Sequence, residues 1–279
     1  MTLTVGSLFS GIGGIDLGLE RAGMNVLWHS EIDPYACRVL KKHWPHVPNI
    51  GDITKVDWSN IPYVDVIAGG YPCQPFSYAG KRAGENDPRH LWPYFRNAIS
   101  VLRPRYALLE NVRGHLTMGG ISVIGDLAAL GYDCEWRIIS AASVGANHRR
   151  DRLIIVAYTD DARGRASDDG INQYRAQENI DRGQSFSRLS RRSSVVADTA
   201  SRGRKEVFGQ ALRIVERSND ERLISAARSI PNWWQTEPAV GRVANGIPRR
   251  VDRLRGLGNA VVPQVAEVVG RLIVSHAND

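Results

Sequence analysis

Residues 3–21 read LTVGSLFSGIGGIDLGLER, and this stretch decides the fold. Its first part, Leu3–Leu8, has the pattern of a short buried strand, and Ile15–Arg21 has the pattern of a helix start. The turn between them, residues 9–14, contains three glycines, which permit tight turning and let the backbone approach a ligand closely. A strand, a glycine turn and a helix in that order are typical of the opening unit of a parallel α/β sheet.

The same alternation of strand and helix continues to about residue 157. Further strands are predicted over Met24–Ser30, Val64–Ala68, Tyr106–Leu109, Cys134–Ile139 and Leu153–Ala157. Helices are predicted over Pro34–His43, Leu91–Leu102 and Ile121–Leu130, and a last one over Pro263–Ser275. This order predicts an α/β fold with a doubly wound, mostly parallel sheet and helices on both faces. Ligands of such sheets bind at the carboxyl ends of the strands.

Two acidic residues, one at the end of the second strand and one after another short extended stretch, bear on the identity of the ligand. The turn has Gly11-x-Gly13, but Asp16 occupies the third position of a dinucleotide fingerprint, which favours a nucleoside without a pyrophosphate. Glu31 lies 20 positions beyond Gly11, where a carboxylate accepts hydrogen bonds from ribose hydroxyls, and Asp52 is a candidate partner for an adenine amino group. A glycine turn or an isolated surface acid is often purely structural. Together they favour an adenosyl pocket.

Residues 64–77, VDVIAGGYPCQPFS, present a thiol directly after a buried strand. Structural cysteines usually lie buried inside an element. Cys73 instead follows two glycines, on a turn stiffened by Pro72 and Pro75, which is the placement of a nucleophile. The polar segment 77–89 is a candidate for a closing lid. Glu110 follows the next strand and is expected to face the same crevice.

Composition and charge narrow the class of protein. The 279 residues carry three cysteines, widely spaced, which fit a reducing cytoplasm and form no zinc-type pair. No unbroken apolar run approaches the roughly 18–20 residues of a membrane span. Residues 160–255 hold 19 Lys and Arg against 13 Asp and Glu, so they carry six of the chain's seven excess positive charges. A polyanionic partner and a merely solvated arginine-rich surface both remain open on this observation alone.

Five short motifs occur in one order: the Phe-x-Gly-x-Gly turn, Pro72-Cys73-Gln74, Glu110-Asn111-Val112, Arg150-x-Arg152 and Gly258-Asn259-Ala260-Val261. In this order they resemble the DNA cytosine-5 methyltransferases over most of the chain apart from its variable middle. The resemblance implies the S-adenosylmethionine-dependent methyltransferase fold, of Rossmann-like type, with a smaller inserted target recognition domain. The catalytic domain is then residues 1–158 plus 256–279, and the recognition domain residues 159–255.

The resemblance also implies the site residues. Cys73 is expected to attack cytosine C6, Glu110 to contact N3 and the exocyclic amine, and Arg150 and Arg152 to hold the base and the active-site backbone. The cofactor is expected to be S-adenosylmethionine, released as S-adenosylhomocysteine, with no metal ion. Its site is expected to be lined by Phe9, Ser10, Gly11, Ile12, Gly14, Glu31, Ile32, Asp52, Ile53, Pro72, Asn259 and Val261.

The implied partner is double-stranded DNA, with the target cytosine flipped out of the stack. A cytoplasmic monomer of bacterial or phage origin is expected, without a membrane, alongside a separately encoded cognate restriction endonuclease. His148 departs from the family, which usually has Gln there, and the block that normally precedes the final motif is hard to find. Residues 233–238, which include two tryptophans, and residues 251–254 occupy its approximate place.

Three other functions share some of these sequence features. A zinc-dependent base deaminase needs Pro-Cys-x-x-Cys, but Phe76 stands three positions after Cys73, and no His-x-Glu precedes it. Cytosine-5 methylation of tRNA by a cousin of the DNA enzymes would show much the same motifs. A DNA-binding protein without catalytic activity is disfavoured because Cys73, Glu110 and Arg152 are all present.

Overall fold

The computed structural model describes residues 2–72, 91–159 and 250–278. Cys73, the predicted closing segment 77–89 and nearly all of the predicted recognition domain, residues 160–249, lie outside the described residues. The expectations for these parts of the chain remain predictions.

The described residues form one six-stranded sheet. Its strands are β1 (Thr4–Leu8), β2 (Asn25–Ser30), β3 (Val66–Gly69), β4 (Tyr106–Val112), β5 (Asp133–Ile139) and β6 (Arg152–Tyr158). Their order across the sheet is β2-β1-β3-β4-β6-β5. β1 pairs in parallel with β2 and β3, and β3 with β4, whereas β6 runs antiparallel to both β4 and β5. The predicted mostly parallel α/β sheet is confirmed.

Helices cover both faces of this sheet, as predicted. They are α1 (Gly14–Arg21), α2 (Pro34–His43), α3 (Trp92–Leu102), α4 (Gly120–Ala129), α5 (Arg250–Asn259) and α6 (Pro263–Asn278). The period of two along each strand divides the core. In β3, Val66 and Ala68 join a cluster with residues of α1 and α6, and Ile67 joins a second cluster with residues of α3 and α4. The sheet is therefore buried on both sides, which is typical of parallel sheets.

The C-terminal helix α6 packs closely on α1 because glycines remove the side chains at the contact. A Cβ on Gly18 would lie 2.3 Å from the carbonyl oxygen of Pro263, and one on Gly270 would lie 2.8 Å from the Cβ of Ala22. Val265, Val269 and Ile273 of α6 are at most 2% exposed. The C-terminus of the described chain thereby completes the core built by the first strands and helices.

By length and composition alone, residues Gly256–Asn278 also qualify as a membrane span, with a mean hydropathy of 1.3. The apolar side chains of α6 are buried against α1 and the sheet. A core helix meets the same criterion of length and composition, and Val265, Val269 and Ile273 of α6 are buried as in a core helix.

Two element ends affect the site. The strand predicted over Tyr106–Leu109 continues to Val112, so that Glu110 and Asn111 lie at the carboxyl end of β4, where they pair with Ile154 and Leu153 of β6. Helix α5 begins at Arg250, so the predicted domain boundary between residues 255 and 256 falls inside a helix.

Candidate active site

The carboxyl ends of β1, β2, β3 and β4 open on one cavity of about 470 Å³. This volume lies in the usual range for small-molecule and cofactor sites. The twelve residues predicted for the cofactor site all line this cavity, and so do Glu110 and Arg152. Arg150 is not among the lining residues, and Cys73 lies outside the described chain, directly after the lining residue Pro72.

The glycine turn owes its shape to left-handed backbone at three positions. Phe9 has φ of 52°, Gly11 of 56° and Gly13 of 82°. Such angles cost little for glycine but are uncommon for other residues, and the ring of Phe9 packs on Phe95 with 6.3 Å between centroids. At Gly14 a Cβ would lie 2.5 Å from the carbonyl oxygen of Val261. The turn is therefore in close contact with the C-terminal segment, and the resemblance assigns residues of both to one site.

Glu31 ties this turn to the end of β2. Its Oε2 accepts a hydrogen bond of 2.7 Å from the amide of Gly11. Its Oε1 accepts bonds of 2.8 Å from the amide of Ile32 and 2.7 Å from that of Asp33. An ionised carboxylate has about four acceptor positions, so that one is left for a ligand hydroxyl. The carboxylate is held in a fixed orientation before any ligand arrives.

Asp52 begins a short 3₁₀ turn beside the same cavity. Its Oδ1 accepts hydrogen bonds from the amide and the hydroxyl of Thr54, at 3.0 and 2.8 Å. These bonds, with a smaller contribution from Lys55, hold the pKa of Asp52 below its usual value. Asp52 is therefore ionised at neutral pH, while part of its side chain stays open to the cavity.

Glu110 forms the opposite end of the cavity together with Arg152. The Nε of Arg152 lies 2.7 Å from Oε1 of Glu110, and the carboxylic side chain is only 10% exposed. Antiparallel pairing explains the contact, because Arg152 of β6 stands opposite Val112, the residue two places after Glu110 on the same face of β4. A Cβ on Gly70 would lie 2.6 Å from Oε2 of Glu110, so the backbone leading to Pro72 also contacts this carboxyl group.

Burial raises the pKa of Glu110 to about 7, although the charges of Arg152 and Arg150 act in the opposite direction. Desolvation outweighs these charges because the carboxyl group is withdrawn from water at the bottom of the cavity. Near neutral pH this group exists in both forms, and it can donate a proton or accept one.

Arg150 and Arg152 were together predicted to hold the base and the active-site backbone, and the described side-chain hydrogen bonds of Arg150 go to backbone. Its Nη2 donates to the carbonyl oxygens of Gly258, at 2.6 Å, and Ala260, at 2.7 Å. The residue itself has a left-handed φ of 38°. Arg150 thus links the loop before β6 to the C-terminal segment that carries Asn259 and Val261.

The cavity wall is acidic. Its charged residues within the described chain are one arginine, Arg152, and five carboxylates: Glu31, Asp33, Asp52, Glu110 and Asp252. Sequence reasoning missed Asp33 and Asp252; Asp33 is the N-cap of α2, a role that its position before Pro34 already indicates. Negative walls favour a ligand with cationic groups over a dinucleotide with a pyrophosphate.

The fold and the cavity define a Rossmann-like α/β protein with an acidic, nucleoside-sized pocket beside a buried Glu–Arg pair. A family model for C-5 cytosine-specific DNA methylases matches residues 3–223. The chain belongs to this family.

Individual proteins agree with this assignment. Type II methyltransferase M.Eco47II of Escherichia coli is 43% identical over 170 residues, which cover 57% of this chain and 40% of that protein. The solved structure of a Spodoptera frugiperda DNMT2 mutant has 26% identity and a TM-score of 0.50, covering 57% of this chain and 51% of that one. The S. pombe Dnmt2 methyltransferase has a TM-score of 0.58 with coverage of 98% and 99%, and at 18% identity it supports the fold alone. The chain spans about half the length of the curated relatives it matches.

Proposed function

We propose that this chain is an S-adenosylmethionine-dependent DNA methyltransferase that transfers a methyl group to C5 of cytosine in a specific duplex sequence. One observation carries the proposal: the acidic pocket at the glycine turn and the Glu110–Arg152 pair line one continuous cavity. A cofactor in the first part and a base in the second would then be in direct contact.

Within this proposal the thiolate of Cys73 adds to C6 of a flipped cytosine, which makes C5 nucleophilic. Glu110 stabilises the charge that develops at N3, and its pKa of about 7 allows it to do so as a hydrogen-bond donor. Arg152 orients that carboxyl group through their contact of 2.7 Å. The cofactor supplies an electrophilic methyl group, and loss of the C5 proton with release of the thiolate restores the aromatic ring and the enzyme.

The residues of the cofactor half have separable roles in this proposal. Glu31 accepts a hydrogen bond from a ribose hydroxyl, and Asp52 accepts one from the adenine amino group. Ile32 packs on the adenine, and the side chain of Ile32 is 66% exposed in the structure. Asn259 and Val261 cover the site from the C-terminal segment. No group of three or more potential metal ligands occurs within the described ranges of the chain, and the mechanism requires none.

Duplex DNA is the proposed substrate, and residues 159–255 the proposed recognition domain. Their excess of six positive charges, with 18 arginines among 19 basic residues, suits phosphate contacts and guanine edges. The relatives named as Type II methyltransferases support a role in restriction–modification. In that role we propose a separately encoded endonuclease as the partner. We further propose a cytoplasmic monomer, which suffices for transfer to one strand at a time.

Transfer of tritium from labelled S-adenosylmethionine tests this function directly. The wild-type protein and Cys73→Ser are incubated with unmethylated duplex DNA and, in parallel, with tRNA. We expect 5-methylcytosine in DNA from the wild type alone, and sequencing of the product then gives the target. Cys134→Ser is the matched control, because burial raises the pKa of that thiol to about 12 and makes it a poor nucleophile.

The other outcomes each contradict a named part of the proposal. Label on tRNA alone would replace the substrate. Activity retained in Cys73→Ser would exclude the covalent step. DNA binding without transfer in the wild type would leave a binding protein and refute the enzymatic function.

A further inference from the structure

Asp16 and His29 form a buried polar pair that the mechanism above does not use. Both residues are 0% exposed. Asp16 lies in the first turn of α1, at the position where a dinucleotide fingerprint has its third glycine, and His29 lies in β2, two residues before Glu31. Burying a carboxylate and an imidazole is costly unless each compensates the other.

The two side chains depend on each other. The Nε2 of His29 lies 3.2 Å from Oδ1 of Asp16. Over the described ranges, neither side chain has a hydrogen bond to any other group. Removal of one therefore leaves the other buried with no compensating contact.

Trp44, directly after α2, packs against this pair and against the turn. Its ring meets that of His29 edge to face, with 5.7 Å between centroids. A Cβ on Gly13 would lie 2.4 Å from Cζ3 of Trp44, so the ring lies directly on the turn. The indole Nε1 donates a hydrogen bond of 2.7 Å to Oε1 of Glu20 in α1, which fixes the ring in place.

The glycine turn is thus attached to β2 at two levels. At the cavity, Glu31 accepts from the amide of Gly11 at 2.7 Å. Beneath the turn, His29 and Asp16 occupy the space between β2 and α1 that a third glycine would close by direct backbone packing. A polar pair therefore lies between α1 and β2, with Trp44 on one side.

We propose that Asp16 and His29 are positioning residues that hold the glycine turn in its binding geometry relative to Glu31, and thereby set the affinity for the cofactor. This inference rests on the proposed function for the identity of the ligand. The expected effect of Asp16 and His29 on the geometry of the turn does not depend on the proposed function.

The test compares Asp16→Ala, Asp16→Asn and His29→Asn with Leu127→Ala, which removes an equally buried side chain of α4 in the opposite core cluster. S-adenosylhomocysteine binding is measured by calorimetry at a temperature where all variants are folded. Hydrogen exchange is measured at the amides of Ser10, Gly11 and Gly13, which are hydrogen-bonded within the turn or to β2 and Glu31. Kinetics separate KM for the cofactor from kcat.

We expect Asp16→Ala and His29→Asn to weaken binding about tenfold, to raise KM for the cofactor and to leave kcat nearly unchanged, a loss of about 1.4 kcal/mol. Exchange in the turn should accelerate in the same variants. The isosteric Asp16→Asn should recover part of the affinity, and Leu127→Ala should lower the melting temperature without changing affinity or turn exchange.

Wild-type affinity and turn exchange in Asp16→Ala and His29→Asn, with only a lower melting temperature, would overturn the inference. If the wild-type protein fails to bind S-adenosylhomocysteine, the proposed function falls instead. The exchange rates of the unliganded turn then still decide whether the pair positions it.

Discussion

The two ends of the cavity shift the pKa of a carboxyl group in opposite directions. At the glycine turn, Glu31 and Asp52 receive backbone hydrogen bonds in partial contact with solvent, and these bonds lower the pKa of Asp52. At the other end, Glu110 of β4 is buried beside Arg152 of β6, and desolvation raises its pKa to about 7. One end is suited to binding a cationic ligand, and the other to exchanging a proton.

The largest effect is expected from a substitution of Glu110, at the end of the cavity proposed for catalysis (the catalytic end). Glu110→Gln removes the proton-exchanging group but keeps its size, and we expect methyl transfer to fall by about 10²–10³-fold, the range for loss of one preorganised electrostatic contact. Affinity for S-adenosylhomocysteine should change by less than about twofold, because the substitution removes no contact at the glycine turn. A tenfold change would require a loss of about 1.4 kcal/mol. Parallel transfer assays and calorimetry measure both.

Glu135→Gln is the matched control, because this residue lies on the outer strand β5 and pairs with Arg137 away from the cavity. A Glu110→Gln protein with wild-type transfer would refute the catalytic role of this carboxyl group. Equal losses of transfer and of cofactor affinity would show that the two ends do not act separately.

The raised pKa also predicts how stability depends on pH. The folded-state value of Glu110, about 7, lies above its ordinary value of 4.5. The folded protein therefore retains this proton longer than the unfolded chain, and the stabilisation is full below pH 4.5 and is lost as pH rises towards 7. Relative to Glu110→Gln, the wild type should lose on the order of 3 kcal/mol of unfolding free energy between pH 4.5 and 8.

Urea denaturation of both proteins across this pH range measures the difference. Asp52→Asn provides a contrast with the opposite sign, because the lowered pKa of Asp52 makes it contribute stability above its ordinary value and lose it as pH falls. A pH-independent difference between wild type and Glu110→Gln would show that Glu110 is not titrated at this site.

The two ends also differ in how far sequence alone predicts them. The cavity wall at the glycine turn consists largely of the continuous segment that includes Gly11 and of Glu31 at a fixed spacing, so a local pattern was enough to predict that these residues lie together. For the catalytic end, motif order predicted Glu110 and Arg152, but their contact depends on the reversed direction of β6. No local pattern encodes the direction of a strand.

Other features depend on tertiary contacts that no spacing reveals. In the sequence, Asp16 is distinguished only as a departure from the dinucleotide fingerprint, and its partner His29 is adjacent only once α1 packs on β2. The desolvation of Glu110 likewise results from several elements meeting at the bottom of the cavity. Helix α6 was predicted well because its apolar periodicity is local, but its glycine contacts with α1 require both helices.

A smaller effect is expected where the C-terminal segment joins the two ends. Arg150→Ala removes two hydrogen bonds to the carbonyl oxygens of Gly258 and Ala260, and we expect a loss of about 2 kcal/mol in unfolding free energy. Cofactor affinity should fall as well, because Asn259 and Val261 line the cavity. Arg149→Ala, which removes a 77%-exposed side chain, should leave both quantities near wild type. Equal stability and affinity in the two variants would refute the linking role of Arg150.

The smallest effect is expected from a substitution of Glu31, at the end of the cavity proposed for the cofactor. Glu31→Gln keeps the shape but gives one side of the amide group a donor, which conflicts with the three backbone amides that the carboxylate now accepts from. We expect S-adenosylhomocysteine affinity to fall about tenfold, or 1.4 kcal/mol, and kcat at saturating cofactor to remain within about twofold. Titration calorimetry and initial rates measure the two quantities. A fall in kcat as large as that of Glu110→Gln would mean that the glycine turn contributes to the chemical step, because a residue used only for binding acts before that step begins.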